Sequence, residues 1–517
     1  MKENRYVLAI DCGTQSLRIL VFDALGNLTY KDKYDVDKYK SLKPGWKEID
    51  PDHIWEMICH GIRCLSKKEP NLFHQVEGIT LSCQRDSIVV VDDKGFPLRD
   101  CISWMDARMA SNVRPMALWA NLVLRMVRFK RIADVFNREF RGNWIRENEP
   151  EIWEKTRKYL FLSTYLNYRL TGEYKDSTAA TVGHVPFDYK RFRWTGKRDI
   201  KRQIFQIEDR YLHELVKPGT ILGAVTREAS EETGLSKGLK VLASGSDKGC
   251  ETLGVGCNDL NKGSISLGSQ ATIQTTSKKY FELVTLFPPF PSVKYGWYNP
   301  EITIYRGYWM VKWFEKEFAH EELASVQGDS KQAIQLLDEK LDTIPPGCEG
   351  LVLQPFWGQE LLRPEARGTV LGFSDYHGKT HLYRAIIEGI GFALKEGIER
   401  LEKKSGVRME EIALSGGGSQ SDTICQITAD IINRKVFKVQ TYETTGLGAS
   451  ITAFVGLGVY KDVDEAVEKM VRVSKVFQPN DKNVQIYEHQ YRQIYKRMYR
   501  RLKPLYKSLL KSEDQRY

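Results

Sequence analysis

The stretch YVLAIDCGTQSLRILVFD, residues 6–23, holds two apolar runs separated by a short link containing Gly13 and Thr14. Two such runs so joined form a β-hairpin. The first run carries Asp11 to the hairpin tip. Gly13 lets backbone amides approach an anion closely. Thr14 and Ser16 add hydroxyls, and Arg18 adds a cation. A carboxylate beside phosphate donors makes chemical sense when Mg2+ bridges the two. The same pattern occurs in plain hairpins, where the aspartate only satisfies turn amides. The rest of the chain must decide between the two readings.

Working outward, GSISLGS (residues 263–269) repeats the strand-then-Gly-hydroxyl design in the second half, ending on Gly268 and Ser269. Two such loops, one per half, suggest opposed loops gripping one set of phosphates. A third loop, GGGSQS at 416–421, lies between a strand and a helix. Its glycines let a flat ligand lie against the backbone, with polar contacts at the helix start. It is not GxGxxG, and no acidic residue follows at dinucleotide spacing, so NAD is disfavoured. SGSD at 244–247 puts Asp247 after a strand in a small-residue loop. There it can accept a proton from an attacking hydroxyl, or merely cap the next helix. Gln84, Arg85 and Asp86, with Trp104 and Asp106, offer the fixed donors, acceptors and flat faces that a hydroxyl-rich ligand needs; the alternative is an ion pair of Asp106 with Arg108. TTGLGAS at 444–450 opens a helix of small residues.

Strand-like and helix-like stretches alternate, which argues an α/β fold. Residues 76–84 and 87–97 read as a strand pair, and 151–170 as a helix stopped by Gly172. A chain of 517 residues exceeds the roughly 250–300 that one core sustains. Two domains are therefore expected, 1–258 and 259–517. The composition, 42% apolar and 28% charged, is that of a globular protein and excludes a low-complexity or fibrous chain. No run approaches the roughly 18–20 apolar residues of a membrane span, and no signal-peptide core follows the first residues, so a cytoplasmic protein without membrane association is expected. Nine cysteines form no CxxC or zinc spacing and read as reduced, buried small residues. The formal charge of +10 concentrates in 125–146 and in the tail. These read as solvated helix faces, with a functional anion surface as the alternative; Tyr487, Tyr491, Tyr495 and Tyr499 form the buried stripe of the tail helix. No nucleic-acid partner is expected.

Taken together, these motifs resemble the FGGY family of carbohydrate kinases, which includes glycerol kinase and xylulokinase, over nearly the whole length. PGWKEIDPDHIW (44–55) resembles the stretch after the first phosphate loop. RGNWIREN (141–148) is similar to one family signature through Trp144, Glu147 and Asn148, with Arg141-Gly142 departing from it. GTVLGFSDYHGKTHLYRAIIEG (368–389) resembles the second. The resemblance implies an actin/hexokinase-like fold of two RNase H-like domains, with ATP between the lobes and a small sugar or polyol as substrate. It implies Asp247 as general base and Asp11 as the Mg2+-associated aspartate. Gly13, Thr14, Arg18, Gly268 and Ser269 then fall on phosphate loops. Gly417, Gly418, Gln420, Ser421 and Gly446 fall in adenosine-holding segments. Gln84, Arg85, Asp86, Trp104, Asp106, Trp144, Asp247 and Lys248 fall on the substrate side.

Gln84-Arg85-Asp86 is similar to the Gln-Arg-Glu of glycerol kinases, with a carboxylate one carbon shorter. Lys248 replaces their glutamine, and can lower the base's pKa, reach a substrate or phosphate oxygen, or face solvent. Both departures leave glycerol open, with a ketose or longer polyol as alternative. A non-catalytic ATP and sugar sensor is a further reading, against which both aspartates argue. The oligomeric state is open, a homodimer being one arrangement.

Overall fold

A computed structural model describes residues 5–358 and 363–514. Its frame is one strand pattern used twice. The first sheet takes β1 (Tyr6–Cys12), β2 (Ser16–Asp23), β3 (Leu28–Asp35), β4 (Val76–Cys83), β5 (Ile221–Ala224) and β6 (Lys240–Leu242) in the order β3-β2-β1-β4-β6-β5. The second takes β7 (Lys262–Leu267), β8 (Ala271–Gln274), β9 (Glu301–Ile304), β10 (Glu411–Ser415), β11 (Lys435–Val439) and β12 (Val473–Phe477) in the order β9-β8-β7-β10-β11-β12. Each has three antiparallel strands, then two parallel steps, then an antiparallel edge. This duplicated sheet is the actin/hexokinase-like architecture.

Strand β1 shows why its sequence reads as a continuous apolar run. Successive side chains point to opposite faces, and both faces are covered. Leu8, Ile10 and Cys12 join one cluster, with α1 (Pro51–Lys68) supplying Ile54, Ile58 and Ile62. Val7 and Ala9 join another, with Leu447, Ile451 and Phe454 of α6 (Thr444–Gly456). Helix α1 starts cleanly because Asp50 accepts from the Asp52 N–H at 2.9 Å and Pro51 occupies the first turn. The other helices that position the site are α2 (Leu162–Thr171), α3 (Asp247–Gly254), α4 (Lys379–Ser405) and α5 (Asp422–Ile432).

Helices α3 and α6 cross backbone on backbone. A Cβ on Gly254 would stand 1.8 Å from the Thr444 carbonyl oxygen, and one on Gly448 would stand 1.9 Å from that of Cys250. Only glycine fits at such a crossing. The small-residue helix therefore docks the C-terminal half of the chain directly onto the helix that begins with Asp247.

Two local expectations are corrected. Residues 76–84 and 87–97 do not pair with each other. The chain turns at Asp86, whose φ is +54°, and Ile88–Val91 pairs instead with Lys158–Phe161 in a separate small sheet. That pairing also breaks the helix expected over 151–170 into Pro150–Lys155, the strand Lys158–Phe161, and α2. Gly172, at φ 73°, ends α2. The tail stripe is found as expected: Tyr487, Tyr491 and Tyr495 are buried, while Tyr499 is half-buried and its hydroxyl donates to Glu365 at 2.8 Å. Eight of the nine cysteines are buried and all are free thiols. Among the described residues no helix is long and apolar enough to cross a membrane.

His213 is a second packing consequence. Its ring lies between Phe161 and Trp194, and neither nitrogen finds a hydrogen-bond partner among the described residues. Burial, reinforced by Lys158, pushes its pKa down to about 3. In the unfolded chain it titrates near the ordinary imidazole value of 6.5. The neutral ring thus contributes full stability above that pH and loses it as pH falls toward 3. Replacing His213 by Phe should flatten the acid side of a Tm-against-pH curve, by about 2 kcal/mol near pH 5; an unchanged acid slope contradicts the assignment. Gly448→Ala should cost roughly 1–3 kcal/mol or more, since backbone cannot yield cheaply, and chemical denaturation measures it.

Candidate active site

The register of the first hairpin sets Asp11 across from Arg18, and across from Ser82 on β4. Arg18 Nη1 donates to Asp11 Oδ2 at 2.6 Å, while its Nε reaches Glu443 at 3.2 Å. Lys31 also pairs with Glu443. Asp11 is buried, and burial pushes its pKa up to about 6 although Arg18 opposes this; the charges of Asp247 and Glu443 push the same way as burial. Asp11 therefore senses Asp247 directly. Gly13 makes the tip turn, its N–H donating to the Ser16 carbonyl at 3.0 Å. Thr14 Oγ1 donates to Gln84 Oε1 at 3.0 Å and accepts from Trp104 Nε1 at 2.9 Å. The expected substrate residues Gln84 and Trp104 thus hold the turn that carries Thr14.

Asp247 is the first residue of α3. Ser246 caps the helix, accepting from the Gly249 N–H at 3.3 Å. The small loop before it is required: a Cβ on Gly245 would stand 2.3 Å from Val293 Cγ1. Asp247 Oδ1 accepts from its neighbour's N–H at 2.8 Å. Oδ2 takes no hydrogen bond among the described residues. Burial raises the Asp247 pKa, and Arg85 and Lys248 oppose it. Lys248 does not face solvent. Its Nζ donates to Glu251 at 2.8 Å and to Ser266 Oγ at 2.7 Å, and Glu251 also accepts from Ser266 and Ser415. Burial alone would lower the Lys248 pKa, but Glu251 and Asp247, with Glu301, together raise it and the lysine stays a cation. It ties the helix of Asp247 to β7 and β10.

Arg85 closes a second tie. Nε donates to Ser246 Oγ at 3.2 Å and Nη1 to Glu301 at 3.0 Å, with the guanidinium 4.4 Å from the Phe290 ring. Glu301 also accepts from Gln274, which in turn accepts from Thr252 on α3. Arg85 Nη2 is buried with no partner among the described residues. Asp86 is engaged otherwise. Its carboxylate accepts from the His184 backbone at 3.0 Å and meets the His184 ring Nδ1 at 2.6 Å, against Gly183. His184 Nε2 lies 3.4 Å from Glu139. Burial alone would lower the His184 pKa, but Asp86 and then Glu139 raise it to about 9, making the ring an imidazolium. The sequence offered no motif for His184, which reaches Asp86 from 98 residues away, or for Glu139, which meets the far side of the His184 ring.

Asp106 and Trp144, expected on the substrate side, sit in a buried scaffold instead. Both Asp106 oxygens are taken, by Arg108 and by the Lys47 and Arg108 N–H groups. The pair with Arg108 exists, but it is buried. Trp144 packs edge-on to Trp46, with Arg108 4.6 Å from its ring. The Asp106 carboxylate is thus fully engaged within the protein, and the Trp144 ring is engaged in packing.

On the nucleotide side, the Gly268 and Ser269 carbonyls accept from the Tyr308 and Trp309 N–H groups at 3.0 and 3.2 Å. Gly416, at φ 79°, lies so close that a Cβ would stand 3.0 Å from the Gly268 nitrogen. The second phosphate loop and the triple-glycine loop are therefore one surface. Nothing approaches the Cβ position of Gly417, whereas Gly418 faces the Tyr308 ring. Gln420 is exposed, and Ser421 caps α5, accepting from the Ile424 N–H at 3.4 Å. Burial pushes the pKa of Asp338, beside Ser421 and Tyr383, up to about 6. Gly446 is a correction. Its Cβ side faces Leu20, 2.3 Å from where a Cβ would stand, so its glycine character is required by packing.

The N-terminal and C-terminal domains of the FGGY family of carbohydrate kinases match residues 6–254 and 263–457. A xylulose kinase of Staphylococcus epidermidis is 30% identical over 499 residues, covering 94% of this chain and 95% of its own. A glycerol kinase of Thermococcus gammatolerans is 28% identical over 494 residues, covering 92% and 94%. The solved ligand-bound xylulose kinase from Lactobacillus acidophilus superposes with a TM-score of 0.81 at 21% identity, covering 98% of this chain and 100% of its own. Plasmodium falciparum glycerol kinase with ADP gives 0.75 at 20% identity, covering 95% and 98%. The chain belongs to the FGGY family of carbohydrate kinases, enzymes that phosphorylate a hydroxyl of a small sugar or polyol with ATP.

Proposed function

We propose that this chain transfers the γ-phosphoryl group of ATP in line to a hydroxyl of a small ketose, with Asp247 as general base. One observation carries the reading. Asp11 ends a strand and Asp247 opens a helix, the charge of Asp247 acts on Asp11, and among the described residues Asp247 Oδ2 takes no hydrogen bond while Arg85 Nη2 is buried without a partner. A substrate hydroxyl that donates to Oδ2 and an adjacent oxygen that accepts from Nη2 satisfy both. Asp247 takes the hydroxyl proton as the oxygen attacks phosphorus. Arg85 orients the substrate from the side of Ser246. Positioning and electrostatics supply most of the rate in phosphoryl transfer.

The residues fit Mg2+. Asp11 is a desolvated carboxylate whose charged form is disfavoured, which a divalent cation corrects, and Mg2+ needs few protein ligands when phosphates and water supply the rest. When bound, it offsets charge on the transferring phosphates. We place the lobe boundary near residues 258–259, after α3. The ATP requirement suits a cytoplasmic setting.

A ketose is preferred to glycerol because Asp86 is drawn away to His184, which leaves room where glycerol kinases have a longer Glu. The similarity to a xylulose kinase points the same way. A polyol kinase is the second reading, supported by the glycerol kinase relative.

Asp247→Ala should lower turnover by roughly 10²–10⁴ with Mg-ATP binding retained by calorimetry; near-normal turnover would mean another base. Arg85→Met keeps the volume and removes the donor. It should lower kcat/KM for the sugar by about tenfold to a hundredfold and leave the ATP KM alone. A panel of glycerol, erythritol, xylulose and ribulose with Mg-ATP should give the highest kcat/KM for a ketose. ADP release with glycerol alone selects the polyol reading, and none with any compound supports a sensor.

A further inference from the structure

Beyond the site above, the helical part of the N-terminal half carries a basic hollow. One cavity of about 520 Å³ adjoins another of about 490 Å³, and Arg114, Arg146, Glu208 and Arg210 line both. The charges can be accounted for one by one. Arg210 pairs with Glu208 at 3.1 Å. Arg202 pairs with Asp209 and donates to the Ile207 carbonyl at 2.6 Å. Those two cations and two carboxylates balance. Arg114, Arg146 and Lys197 remain, and among the described residues none of the three has a carboxylate within ion-pair distance. Glu154 lies on the second cavity and pairs with none of them.

Arg146 is the informative residue. It is half-buried in the helix Arg141–Asn148, its Nη1 donates to Asn143 Oδ1 at 3.0 Å, and its guanidinium lies 3.9 Å from the Trp153 ring. Burial and then the nearby Arg114 lower its pKa to about 10. A desolvated guanidinium facing a second cation, without a counter-ion, is costly. A phosphate dianion relieves that cost, because guanidinium forks match its oxygens bidentately. The rings of Trp153 and Tyr211, 5.0 Å apart, form an aromatic wall beside the cations. The volume suits a small organic ligand. The basic run at 125–146 thus divides: Arg125 and Arg128 are solvated, Arg141 is buried against backbone carbonyls, and Arg146 turns into this hollow.

We propose that this hollow binds a small organic phosphate monoester, its phosphate between Arg114 and Arg146 and its body against Trp153 and Tyr211, as a site separate from the catalytic one. None of its lining residues bonds to Asp11, Arg85, Asp86 or Asp247 among the described contacts.

The test is calorimetry on the full chain with the catalytic site saturated by Mg-ADP, titrating inorganic phosphate, ribose 5-phosphate and AMP separately. At least one ester should bind, and more tightly than inorganic phosphate. Arg146→Gln, and independently Arg114→Gln with Lys197→Gln, should weaken that binding by about tenfold to a hundredfold while kcat and the ATP KM stay unchanged. The exposed double variant decides the matter should Arg146→Gln fold poorly. No binding by wild type, unchanged affinity in the variants, or inorganic phosphate binding as tightly as the esters overturns the assignment. A failed kinase assay would leave this result intact, since the titration does not depend on turnover.

Discussion

Two buried carboxylates, Asp11 and Asp247, lie close enough for the charge of the second to raise the pKa of the first, and the structure around them holds both in place. Asp11 and Asp247 each pay for burial with a raised pKa. Neither would tolerate it without the cations arranged around them, Arg18 beside one and Arg85 and Lys248 beside the other. Burial of like charges is unfavourable in itself. It is sustained here because strands β1 and β6 deliver the two groups from a sheet covered on both faces. The backbone crossing of α3 and α6 then leaves the second carboxylate no freedom to retreat.

The same cations link the two halves of the chain. Arg85 reaches Glu301, and Lys248 reaches Glu251 and Ser266. Each is a charge-assisted contact in a nearly dry setting, where such bonds are strongest and their loss most costly. Elements of the N-terminal and C-terminal halves are thus coupled through residues adjacent to the proposed base. A shift of one lobe against the other moves the groups around Asp247, which is the physical basis for coupling lobe closure to chemistry.

Charge is used differently at the basic hollow. At the catalytic centre every buried cation has a carboxylate partner, whereas Arg146 has an aromatic ring and an amide oxygen. The surplus positive charge of the chain is therefore not uniform solvated surface. Much of it is, as in the tail, where Tyr487, Tyr491 and Tyr495 take the buried face and lysines and arginines the wet one.

The sequence by itself determined the repeated strand-and-loop design, the hairpin that carries Asp11, the strand–loop–helix that carries Asp247, and the family, because each is a local pattern of apolar period and turn chemistry. Tertiary structure decided what the individual side chains do. Gln84 and Trp104 turned to Thr14, Asp86 to His184, Asp106 to Arg108, and Gly446 to Leu20. His184, Glu139 and Glu301 joined the site with no motif to announce them. The reason is that a carboxylate or amide takes whichever partner the fold brings within about 3 Å, and apart from Arg108, two residues from Asp106, those partners lie tens to hundreds of residues away in the chain.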